Sequence, residues 1–234
     1  MQARILCTHP QVAVIDDFAT ATECAALARW VDTLALPRAD EVEEESTTID
    51  DSDFGYRELA VAADPLAMEL TARMEAAAGQ ADLLDAEDGG TLRLRRYHPG
   101  QGHPRHSDVV DFGSLRLKWT VMLVLEAPQA GGETMFPIAA PGPLRLVPRA
   151  GRVFMWQSTG PDGEPSECAH HLALAVRTGV LTTATRFIYA PVGAAPPQWA
   201  FPTAHAVLRD ALQRDQALGH QRRDTVCQDL IEEF

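Results

Sequence analysis

Apolar positions along the chain follow two periods, with the change near residue 91. The run "VAVIDDF" (12–18) is short, apolar and closed by an acidic turn, which predicts a buried strand. In 20–34, Cys24, Leu27, Ala28, Val31 and Leu34 recur at helical spacing, and Thr20 or Thr22 can cap the helix. Residues 37–57 have no period and read as a loop. A second helix is predicted over 64–79, with Asp64 as N-cap, Pro65 at the first helical position and Gly79 at its end. From Thr91 the pattern alternates: Leu92 and Leu94 share one face of "TLRLRRY". The segment 115–126 is β-rich, and its latter half is apolar on both faces. Further short strands are predicted within 131–138, 144–148, 151–157 and 182–190. Turn signals at Pro141-Gly142, Pro148, Gly160-Pro161 and Gly163 separate them. A Pro-rich link follows Pro191, and 204–218 has the pattern of a helix.

Helices first and many short strands afterwards predict a β-rich α+β fold, with a sandwich or barrel core. The expected parts are 1–90 (strand and helices packing on the core), 91–195 (the β-core) and 196–234 (a helical extension), in one structural domain. With 46% hydrophobic residues in 234, a sizeable core can form. The net charge of −13 argues against nonspecific nucleic-acid binding, which needs a cationic face. No apolar run reaches the length of a membrane span, and the first residues lack the layout of a signal peptide. Cys7, Cys24, Cys168 and Cys227 show no CxxC, so a reduced, cytoplasmic protein is expected. Residues 39–54 carry eight acidic residues and no basic one, the composition of a solvated loop or of a flap that touches a cationic substrate.

Candidate chemistry begins at "RHSDVVDF" (105–112). Residues i and i+2 of a strand share a face, so His106 and Asp108 could reach one point. A surface ion pair is the plain alternative. A metal would need a third ligand, and "ECAHHLALAV" offers His170 and His171. Two histidines and one carboxylate on one side of a metal, with places left open, form the facial triad of non-haem Fe(II) oxygenases.

Several segments in order resemble the prolyl-4-hydroxylase-like Fe(II)- and 2-oxoglutarate-dependent dioxygenases. "RRYHPGQGHPRHSD" is similar to their Arg-Tyr, Gly, HxD approach, and "TVMLVLEAPQAGGETMFP" to their Thr-led strand and Gly-Gly-Glu-Thr-x-Phe-Pro turn. "LVPRAGRVFMW" resembles their Pro-x-x-Gly turn and apolar strand. "HLALAVRTG" resembles the distal His followed by a Gly eight residues on, which selects His171 over His170. The likeness covers about residues 10–190. It implies a double-stranded β-helix, a jelly-roll or cupin-like core, with Fe(II) on His106, Asp108 and His171. It also implies 2-oxoglutarate as co-substrate and O2 as oxidant, with ascorbate as a further reductant. The co-substrate would become succinate and CO2 while a hydroxyl group passes to an amino acid, a peptidyl side chain or another small molecule. Asp108 stands where related halogenases carry a small residue, which favours hydroxylation; desaturation and ring closure stay open.

Around the triad, Tyr97 and Thr120 are candidates to touch the co-substrate, and Trp156 reads as a core aromatic. The family's basic anchor for the distal carboxylate falls on Leu181. Arg186 in "TTATRFIYA" is the first substitute, although an odd offset from 181 needs a bulge or a register shift after Gly179 to bring it to the same face. Lys118, which shares a face with Thr120 on a regular strand, is the second. Two other classes compete: a jelly roll that binds metal or ligand without turnover, and a metal-independent interaction module. Oligomeric state is not legible in the sequence.

Overall fold

The computed structural model describes residues 2–33, 56–84, 90–196, 199 and 201–202. The acidic run 39–54 and the helix expected over 204–218 lie outside the described residues. The chain opens with an antiparallel pair, β1 (Gln2–Thr8) and β2 (Gln11–Asp16). The first predicted helix forms as two pieces, α1 (Ala21–Ala28) and α2 (Trp30–Thr33). Thr20 caps α1 in a capping box, its hydroxyl accepting from the Glu23 N–H while the Glu23 carboxylate accepts from the Thr20 N–H. After β3 (Tyr56–Ala60) comes α3 (Pro65–Ala78). Its ends are those the sequence dictates. Asp64 accepts the N–H of Leu66 at 2.7 Å, and Gly79 closes the helix at φ 70°.

The remaining strands are β4 (Thr91–Tyr97), β5 (His103–His106), β6 (Asp111–Phe112), β7 (Leu115–Glu126), β8 (Ala130–Gly131) and β9 (Thr134–Phe136). They continue with β10 (Leu144–Leu146), β11 (Val153–Gln157), β12 (His171–Ala173), β13 (Val176–Thr178) and β14 (Leu181–Pro191). The major sheet runs β1-β2-β11-β7-β14-β4-β3, with β6 added to β7. The minor sheet runs β10-β9-β12-β5, and β8 pairs with β13. Neighbours in these sheets are antiparallel, and the two sheets face each other as a double-stranded β-helix.

The major sheet is buried on both faces. One face packs Trp119, Val121, Leu123 and Ile188 against Leu27, Leu70 and Met74 of the helices. The other packs Val124, Phe154 and Trp156 against Phe136, Leu144 and Leu146 of the minor sheet. This explains why 119–125 is apolar at nearly every position: each strand residue meets one of two cores.

One buried ion cluster joins the helical layer to the sheet. The Arg186 guanidinium on β14 lies 3.0 Å from Glu75 of α3 and 3.2 Å from Asp82. The Arg186 and Asp82 side chains are 3% and 1% exposed. Removing the cation strands a carboxylate out of water, at a cost of about 3–5 kcal/mol. Arg186→Met should therefore lower unfolding stability by roughly that amount, read as a shift of the urea midpoint; an unchanged midpoint would refute this account.

Candidate metal centre

β5 and β12 are neighbours in the minor sheet, and their ladder sets His106 directly opposite His171. The two rings lie 4.4 Å apart by centroid. β5 ends at His106, so Asp108 does not share a strand with it, contrary to the i, i+2 argument from sequence. The chain leaves the sheet at Ser107, and Asp108 turns back under the histidines from an irregular segment. One ligand atom from each of His106, Asp108 and His171 can be chosen so that all lie within 4.8 Å of one another. His170 stays outside this group, its ring 3.5 Å from the exposed Glu167 carboxylate.

Hydrogen bonds prepare each side chain. The Nδ1 of His106 lies 2.9 Å from the Pro104 carbonyl, and that of His171 lies 3.0 Å from the Ala169 carbonyl. A carbonyl only accepts, so each Nδ1 carries a proton, and Nε2 is the atom whose lone pair is free for a metal once the ring is neutral. Those Nε2 atoms point at Asp108, at 3.3 Å from His106 and 3.7 Å from His171. Asp108 is fixed from the other side. Its Oδ2 accepts from the Thr120 hydroxyl at 2.6 Å and from the Trp156 indole N–H at 2.9 Å. Thr120 and Trp156 are directly opposed across the β7–β11 ladder, so two strands of the major sheet hold one carboxylate.

Charge follows from this packing. Burial opposes ionisation of Asp108, but the neighbouring histidines and the Thr120 hydroxyl outweigh it and hold the carboxyl well below its usual range. Burial pushes the His171 pKa down, more than Asp108 raises it, which keeps the ring neutral. At His106 burial also pushes down, yet the hydrogen bond and charge of Asp108 prevail and the pKa rises. Two neutral imidazoles and one carboxylate fit a divalent first-row ion such as Fe(II). Among the described residues no cysteine joins them; Cys7 and Cys24 are buried elsewhere, in the cores and hydrogen-bonded to backbone carbonyls.

The triad opens on a cavity of about 390 Å³ between the sheets, a size suited to small organic ligands. Tyr97 and Thr120 both line it. The hydroxyl of Thr120 is engaged with Asp108, so it orients that carboxylate. Trp156, read from sequence as core, does the same. An indole N–H aimed at a carboxylate carries no one-dimensional signature, which is why sequence reasoning missed it.

The two basic candidates are elsewhere. β14 alternates without a bulge of its own from Thr183 to Ile188, so Thr183, Thr185 and Phe187 face the cavity while Arg186 faces α3. The register shift at Thr182/Thr183 puts its extra residue, Leu125, on β7 and leaves the alternation of β14 unbroken, so Arg186 is not turned to the cavity and its guanidinium is committed to Glu75 and Asp82. Lys118 fails for the opposite reason. Ile188 opposes Trp119 and Tyr189 opposes Leu117, so Lys118 is the extra residue of a β-bulge in β7. Leu117, not Lys118, takes the cavity-facing place, and the Lys118 ammonium donates to the Ala194 carbonyl.

Removing either donor to Asp108 should loosen the ligand set without exposing a core. Thr120→Val and Trp156→Phe are each expected to weaken Mn(II) binding about 10- to 100-fold, measured by metal titration alongside an unchanged circular dichroism spectrum. Protons compete with metal for the His106 Nε2. Because that pKa is raised, Mn(II) affinity should fall as pH drops and begin to fall above 6.5, the ordinary histidine value. An affinity flat between about pH 8 and 6 would contradict the assignment.

No protein-family model and no curated protein matches the sequence. Solved structures do match. The viral collagen prolyl hydroxylase of Paramecium bursaria Chlorella virus-1 aligns at TM-score 0.58 and 19% identity, over 79% of this chain and 92% of that chain. Its 2OG complex aligns at 0.55 and 20%, over 79% and 98%. A Pseudomonas putida prolyl-4-hydroxylase aligns at 0.52 and 18%, over 77% and 94%. A Trichoplax adhaerens prolyl hydroxylase, in complex with a hypoxia inducible factor oxygen degradation domain peptide fragment, aligns at 0.51 and 13%, over 76% and 83%. The chain has the double-stranded β-helix fold of the prolyl hydroxylases, with a His-Asp-His cluster at the mouth of its jelly roll.

Proposed function

We propose that this protein is an Fe(II)- and 2-oxoglutarate-dependent oxygenase that hydroxylates an unactivated C–H bond of an amino acid, a peptidyl side chain or another small molecule. The observation that carries this reading is the ligand set itself: two histidines locked as Nδ1–H tautomers and one buried carboxylate converge beside a cavity. Likeness of fold to prolyl hydroxylases, one of them solved as a 2OG complex, supports it.

Iron held by His106, Asp108 and His171 would supply the activation of O2, with oxidation of the keto acid to succinate and CO2. The chain's own contribution is geometric and electrostatic. Three protein ligands on one side leave the other side free for a bidentate keto acid and O2. Thr120 and Trp156 hold the carboxylate so that it does not swing into those places. Packing of Phe136 and Trp156 around the His171 ring, at centroid distances of 5.1 and 5.0 Å, keeps water from that side. The open side faces the cavity mouth, where Val109 and Val110 of the segment after Asp108 form part of the rim. A peptidyl substrate fits an open mouth of this kind, and the Trichoplax neighbour is solved with a peptide.

A binding protein without turnover is the second reading, favoured by Leu181, a buried apolar residue where a basic anchor was expected. Both readings are tested by succinate release from 2-oxoglutarate with Fe(II) and O2. We expect uncoupled turnover in the wild type. His106→Ala, Asp108→Ala and His171→Ala should each abolish it, while His170→Ala retains most of it. Metal binding without succinate under any condition would favour the second reading, and a His170→Ala loss larger than that of His171→Ala would overturn the ligand set.

A further inference from the structure

A dicarboxylate that enters a partly dry cavity needs a cation at its far end, since an unpaired buried carboxylate is costly. Arg186 and Lys118 point away, and Leu181 packs among Tyr97, Val124 and Phe136. Two guanidinium groups do line the cavity, Arg93 and Arg95, both on β4. Their residue numbers share the parity of Tyr97, so all three side chains leave the same face of the strand.

The two arginines are not equivalent. Arg93 lies 3.4 Å from Glu58 and is held over the rings of Tyr56 and Phe187, at 4.1 and 5.0 Å. Arg95 has no carboxylate partner among the described residues. Among the described residues its only side-chain hydrogen bond is a long one, Nη1 donating to the Tyr97 hydroxyl at 3.4 Å; its Nε, like that of Arg93, is buried without an acceptor. The Tyr56 ring lies 5.6 Å from its guanidinium carbon and limits its freedom. Arg95 lines the same cavity as His106, Asp108 and His171. Opposite Arg95 in the ladder stands Thr183, another cavity-lining residue.

We propose that Arg95, with the Tyr97 hydroxyl beside it, binds the distal carboxylate of 2-oxoglutarate, in place of a base on β14. The inference rests on the oxygenase reading above. A guanidinium presents paired N–H donors to a carboxylate, and this one has N–H groups to spare. A β4 anchor also explains how an apolar Leu181 can stand on the β14 side: the cation has moved to the neighbouring strand, and Leu181 directly opposes Tyr97 across the same ladder.

The test separates the distal carboxylate from the keto-acid end. Mn(II)-loaded protein is titrated by calorimetry with 2-oxoglutarate and with 2-oxobutanoate, which keeps the keto acid but lacks the far carboxylate. The wild type should prefer 2-oxoglutarate. In Arg95→Leu that preference should fall by about tenfold or more, with the 2-oxobutanoate affinity and Mn(II) affinity unchanged, and Arg95→Lys should restore part of it. Arg93→Leu should lower the preference far less. A preference intact in Arg95→Leu, or lost as fully in Arg93→Leu, would overturn the assignment while leaving the oxygenase reading standing. A wild type that takes up neither keto acid with metal would overturn both.

Discussion

The long antiparallel ladder between β7 and β14 is the constraint on which the rest of the molecule depends. Ten residue pairs join the two strands, and both lie inside the major sheet with buried neighbours on each face. Such a ladder has no solvent side, so the parity of each residue decides which of two cores it enters. Trp119, Val121 and Leu123 go to the helices, and Thr120, Met122 and Val124 go to the jelly-roll interior. The inserted residue Lys118 reverses that assignment on its N-terminal side, which puts Leu117 in the cavity.

The same parity gives the two faces their different chemistry. On the helical face a buried cation, Arg186, is matched by two carboxylates and serves cohesion. On the cavity face the buried anion, Asp108, is matched by two N–H or O–H donors and two imidazoles, a group that could hold a metal ion. A buried charge is tolerable only when its neighbours answer it. Asp108 therefore remains ionised and in place before any metal arrives, and the histidine tautomers are set by backbone carbonyls rather than by the ion. Arg95 is the exception on that face: a guanidinium whose N–H groups are not answered by an acid among the described residues. That incompleteness marks it as a contact for something outside the chain.

The chain by itself determined its local elements, because caps, breakers and hydrophobic period act over a few residues. Asp64, Pro65 and Gly79 bound α3 as read, strands form within 91–97, 115–126, 144–148, 151–157 and 182–190 as read while β1, β3, β12 and β13 were not foreseen, and the ordered motifs pointed to His106, Asp108 and His171. Only the tertiary structure decided what depends on pairing between distant segments. The register of β12 on β5 sets His171 against His106, and the opposition of β7 and β11 brings Thr120 and Trp156 to one carboxylate. Arg186 and Lys118 were misjudged for the same reason: a strand's alternation is legible from its residues, but the absolute face and the position of a bulge follow from the partner strand. Which cation is left over to meet a ligand is likewise a property of the whole ion-pair arrangement, because Arg186 is spoken for by Glu75 and Asp82, residues more than a hundred positions away, and Arg95 by no acid among the described residues.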